Sequence, residues 1–157
     1  MAGQSDFVLL NPSSVDLANT NETVVLEYTA PANVPLDSIL QSFSHGTPDS
    51  TPEKVIWRIY KGTGSITGSP TDISATGIAA AGRGTTGSTG TLKTGGTLPS
   101  LNVPVFRELI NQASGYTNPQ TIGIAGGERI LVTAQLVSTD GTVKCFARLV
   151  MRNPAYG

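Results

Sequence analysis

Apolar and polar residues alternate along several short stretches of this chain, the spacing expected of strands, whose successive side chains point to opposite faces. Phe7 to Leu10 is a brief apolar run ended by the turn cluster Asn11-Pro12-Ser13-Ser14, which predicts a strand near a sheet edge. Thr23 to Thr29 is β-branched and aromatic and stops at Ala30-Pro31, again a strand signature. From Lys54 to Tyr60, Val55, Trp57 and Ile59 share one face and Ile56, Arg58 and Tyr60 the other. The first set is assigned to the core, which makes Trp57 the largest block of buried apolar surface.

The strongest pattern closes the chain. Glu128 to Ser138 and Thr142 to Arg152 flank Thr139-Asp140-Gly141, and Asp-Gly between alternating runs predicts a tight hairpin. The inward set would be Ile130, Val132, Ala134 and Leu136, facing Val143, Cys145, Ala147, Leu149 and Met151.

Leu36 to Phe43 fits either a helical turn or a strand, and its strand-like neighbours favour the strand. One short helix is expected over 103–113, where Phe106, Leu109, Ile110 and Ala113 recur at helical spacing and Gly115 can cap the end. From 62 to 100 glycine, threonine and serine dominate. This region is expected to be a long excursion with short strands at Asp72 to Ile78 and Thr91 to Lys93. The tract Gly82 to Gly90 is too poor in apolar groups to form core.

A chain of 157 residues matches one domain with one core, so residues 1–157 are expected to form a single β-sandwich domain. Charged residues make up 13%, about half the usual share, and net charge is −1 with scattered cations, so no nucleic-acid partner is expected. The N-terminal residues lack a basic stretch followed by an apolar run, and no apolar stretch is long enough to cross a bilayer. Synthesis and folding in the cytoplasm without membrane insertion is the expectation.

Candidate chemistry is thin. His45 is the only histidine, in Ser44-His45-Gly46-Thr47-Pro48, and is read as a solvent-exposed loop residue. Catalysis through it would require distant acids. Gly87-Ser88-Thr89-Gly90-Thr91-Leu92-Lys93-Thr94 differs from a phosphate-binding loop because leucine, not glycine, precedes the lysine. Cys145, the only cysteine, is read as a small core residue. Asn21-Glu22-Thr23 fits a glycosylation acceptor but is read as accidental. No catalytic, cofactor-binding or metal-binding residue is nominated, and the chain is expected not to be an enzyme. Tyr60, Tyr116 and Tyr156 could serve as sugar-stacking rings if exposed.

The run Val24-Val25-Leu26-Glu27-Tyr28-Thr29-Ala30-Pro31-Ala32, then Leu36-Asp37-Ser38-Ile39 and Val55-Ile56-Trp57-Arg58-Ile59-Tyr60, resembles small β-sandwich proteins of bacteriophage particles. Gly126 to Val132 and its partner strand are similar to the final strands of such sandwiches, single jelly-roll capsid proteins included. The resemblance implies an all-β, two-sheet antiparallel β-sandwich, jelly-roll-like. It also implies a structural virion protein, either a capsid subunit or a head-decoration protein, whose partners are copies of itself and other capsid proteins in an icosahedral homo-oligomer. A standard jelly roll sends its last two strands to opposite sheets, which conflicts with the tight Asp140-Gly141 hairpin. The alternative function is a carbohydrate-binding or adhesion module on the same sandwich.

Overall fold

A computed structural model describes residues 7–46, 54–63, 70–80, 90–96, 104–110, 115–138 and 142–153. Two antiparallel sheets enclose one apolar core. The seven-stranded sheet contains β1 (Phe7–Leu10), β2 (Val15–Leu17), β4 (Leu36–Gly46), β7 (Ile78–Ala80), β10 (Tyr116–Asn118), β11 (Ile122–Ile124) and β13 (Val143–Arg152). The six-stranded sheet contains β3 (Thr23–Thr29), β5 (Val55–Gly62), β6 (Thr71–Asp72), β8 (Thr91–Thr94), β9 (Phe106–Ile110) and β12 (Arg129–Leu136). A single helical turn, α1 (Ser74–Gly77), lies between β6 and β7.

The pairing has a simple rule. Count β1, β3, β4, β5, β9, β10 with β11, β12 and β13 as eight principal strands. The first then pairs with the last, the second with the seventh, the third with the sixth and the fourth with the fifth, all antiparallel. Rolling this ribbon over itself gives β10-β4-β13-β1 in one sheet and β3-β12-β5-β9 in the other. That is the wrapping of a jelly roll.

The expected strands at Phe7 to Leu10, Thr23 to Thr29 and Leu36 to Phe43 are present, the last extended to Gly46. Inward assignments also hold: Val55, Trp57, Ile59, Ile130, Val132, Ala134 and Leu136 on one sheet oppose Val143, Cys145, Ala147, Leu149 and Met151 on the other, all buried.

The pairing expected of the last two strands is wrong. The turn residues 139–141 lie outside the described residues, but the strands they connect enter opposite sheets. β13 runs between β4 and β1, and β12 runs between β3 and β5. A hairpin and a sandwich bury the same alternate residues. Long-range partners made the choice, because β4 matches almost the whole of β13, as β5 does β12.

The helix expected over 103–113 is also wrong, because residues 106–110 form β9 and pair with β5. Residues 101–103 and 111–114 lie outside the described residues. Phe106 and Ile110 are four apart, which places them on one side of either a helix or a strand. Only Leu109 separates the two periods, and it points to solvent, 47% exposed.

Within the excursion, β8 appears as expected, but Ser74 to Gly77 is helical where a strand was expected. The Asp72 carboxylate accepts from the Ser74 N–H at 2.9 Å and from its hydroxyl at 2.6 Å, turning the backbone there. Leu92 of β8 is fully buried, so the excursion contributes to the core as well as to both sheets.

Asn11 joins β1 to β2 along the side of β13. Its Nδ2 donates to Cys145 O at 3.0 Å and its Oδ1 accepts from Ala147 N at 2.8 Å, so the side chain continues the ladder where the backbone turns at Pro12. Asn11→Ala would leave both backbone groups buried without partners, each costing about 1–3 kcal/mol. Urea denaturation is expected to show a loss of about 2 kcal/mol or more, with β2 losing hydrogen-exchange protection first.

Candidate functional site

The residues considered for chemistry do not converge. His45 is not a solvent-exposed loop residue. It lies buried in β4, in register with Cys145 of β13, because alternation places both on the core side. Cys145 is a core residue as expected, and burial, with a smaller push from the Asp16 charge, raises its thiol pKa to about 12. Among the described residues, no group of three or more His, Cys, Asp or Glu side chains could hold a metal ion. Lys93 sits on strand β8, not at the strand-to-helix turn that a phosphate-binding loop requires.

Trp57 is fully buried and stacks on Phe43, ring centroids 5.0 Å apart. Phe43 also stacks on Phe106 at 5.6 Å and on Tyr116 at 6.3 Å. Four rings from β4, β5, β9 and β10 thus close the sandwich along the side where those strands meet.

On the outer face of the six-stranded sheet lies Glu22, which the sequence pattern marks only as part of a glycosylation acceptor. Its carboxylate accepts from the Tyr60 hydroxyl and from the Thr133 hydroxyl, each at 2.6 Å, and pairs with Arg58 at 3.3 Å. Burial and this bond push the Tyr60 pKa upward. Tyr60 is therefore a buried clasp under the segment leading into β3, not a sugar-stacking ring. Glu27 is buried nearby on the same face, 3.6 Å from Arg129, and burial raises its pKa against the pull of Arg129 and Lys93.

The opposite outer face, on the seven-stranded sheet, is open. Register places Arg148 between Leu10 and Ser42, with Thr117 beyond Ser42, and Phe146 beside Ser44. These residues, with Asn11, Gly115 and Tyr116, line a groove of about 330 Å³. Phe146 is 41% exposed there. Of the tyrosines considered, Tyr116 alone reaches the groove among the described residues, and Tyr156 lies outside them. Sequence spacing alone gave no sign of the groove, because it draws on strands far apart in the chain.

A further surface lies at the end of the six-stranded sheet. Among the described residues β9 is its last strand, and it exposes Leu109 on the outer face, with Val105 just before it and Val137 following β12. Ile56 is Leu109's cross-strand neighbour.

The fold and these surfaces define a jelly-roll β-sandwich with an open groove on one face and an apolar sheet edge on the other sheet. No known family model and no curated protein matches the sequence. Among solved structures, a chain in the structure of infectious bursal disease virus, Gx strain, is similar at 16% identity with a TM-score of 0.19. The match covers 97% of this chain and 38% of that one, so this chain spans well under half of its length. The assignment of the fold rests on strand order and register.

Proposed function

We propose that this chain is a non-enzymatic structural protein of a virus particle, a capsid subunit or head-decoration protein of a bacteriophage, working through contacts with copies of itself and with other shell proteins. The observation that carries the reading is the exposed end of the six-stranded sheet. Among the described residues β9 ends the sheet, with apolar side chains at Val105 and Leu109 and, after β12, at Val137, each more than two-fifths exposed. A strand edge with apolar neighbours is a template for pairing, and chains that leave one open use it or block it with charge and proline. Sparse charge lowers the desolvation cost of burying such a surface between subunits.

Light scattering and native mass spectrometry of the purified chain test this. The wild type is expected to form a discrete oligomer or shell, and Leu109→Glu, at a solvent-facing position that leaves the core intact, is expected to shift it to smaller species. A wild type that stays monomeric at the highest attainable concentration and does not sediment with phage heads sinks the reading.

A further inference from the structure

We infer that the groove on the seven-stranded sheet binds an acidic sugar, a pyranose bearing a carboxylate, independently of any self-assembly. Arg148 supplies the cation. No hydrogen bond or ion pair joins its guanidinium to any described residue, whereas Lys144 on the same strand face is paired with Asp16 at 3.4 Å. A guanidinium is shaped for a two-point grip on a carboxylate, so an anion is the complement it lacks.

The neighbours of Arg148 select among anions. Ser42 is directly across from it and Thr117 one strand further, while Ser44 is across from Phe146. None of these three hydroxyls makes a side-chain hydrogen bond with the described residues, so three unspent donor-acceptors face the groove beside one unspent cation. The exposed Phe146 ring lies two residues from Arg148 along β13, about 7 Å at strand rise. One sugar ring can therefore lie against Phe146 while its acidic substituent reaches Arg148. Tyr116 borders the groove, but its ring is turned to the core side, where it stacks on Phe43 and Phe106, so Phe146 is the ring a sugar would meet. An apolar lining with a few convergent polar groups, in a volume of about 330 Å³, is the usual make-up of a small-ligand site. A purely apolar ligand would leave the cation and hydroxyls desolvated without partners, and an inorganic anion would not use the Phe146 ring.

The test is an amide chemical-shift titration of the intact chain with N-acetylneuraminic acid, and with N-acetylglucosamine as the neutral control. Saturable shifts are expected at residues 115–117 and 144–148, with the neutral sugar at least about fivefold weaker, a difference of roughly 1 kcal/mol. Arg148→Gln is expected to abolish the preference for the acidic sugar, and Phe146→Ala to weaken both sugars. Both positions are solvent-facing, and an otherwise unchanged spectrum verifies the fold. Absence of saturable shifts, shifts confined to another surface, or an acidic-sugar affinity unchanged in Arg148→Gln would each overturn the inference. Assembly measured through Leu109→Glu is a separate readout, so failure of one leaves the other standing.

Discussion

Trp57→Ala is expected to lower stability by about 3–5 kcal/mol, the range for truncating a large aromatic in a packed core. Trp57 is fully buried, and its ring lies against Phe43 of the facing sheet, which in turn stacks on Phe106 and Tyr116. Removing it opens a cavity between the sheets where neighbouring strands are held by their own ladders and cannot collapse inward. Trp57→Phe should cost much less. Among the described residues the indole N–H has no acceptor, so phenylalanine forfeits volume but no hydrogen bond and removes an unpaired buried donor. Urea denaturation followed by far-UV circular dichroism checks both variants, because the only tryptophan is lost as a fluorescent reporter. A loss below about 1.5 kcal/mol for the alanine variant would show that the ring stack is not what closes this side of the sandwich.

Gln41→Leu is the second large effect, expected at about 2–4 kcal/mol although leucine is close to glutamine in size. The Gln41 amide donates to Ser38 Oγ at 3.0 Å and to Gln120 O at 2.9 Å, and its carbonyl accepts from Asn118 Nδ2 at 2.7 Å. This buried network fastens β4 to the turn between β10 and β11, the two short strands that share its edge. Leucine would fill the space and strand the Asn118 donor and the Gln120 carbonyl, and a buried polar group left alone costs more than the bond it once made. The double variant Gln41→Leu/Asn118→Leu is expected to recover part of the loss, since it removes one of the stranded groups. Chemical denaturation measures the total, and hydrogen exchange should show Asn118 to Ile122 opening first. Additive losses in the double variant would refute the coupling.

Alternation was a reliable guide to which residues are buried and a poor guide to which strands are neighbours. Val55, Trp57 and Ile59, or Cys145, Ala147 and Leu149, were legible because a period of two admits only one face toward the core. His45 was misjudged because Gly46 and Pro48 imply a loop, while β4 continues through Gly46 on the strength of its pairing with Lys144 to Phe146. Phe106 to Ile110 fits two periods over five residues, and its pairing with β5 settled it. The Asp140-Gly141 signal was local, and local turn preference lost to the long-range ladders that β12 makes with β3 and β5 and β13 with β4 and β1.

The candidate surfaces were less legible still. Glu22, Tyr60, Thr133 and Arg58 come from three separate segments, and Arg148, Ser42, Thr117 and Phe146 from three strands. What the sequence alone determined was the all-β class, most strand positions and the inward side of each strand, because backbone pleating ties side-chain direction to position within a few residues. Tertiary structure alone decided the wrapped strand order, the burial of His45 and Tyr60 and the grouping of side chains into a groove. Those depend on pairings between residues well over a hundred positions apart, such as Phe7 with Met151, whose energies no local pattern encodes.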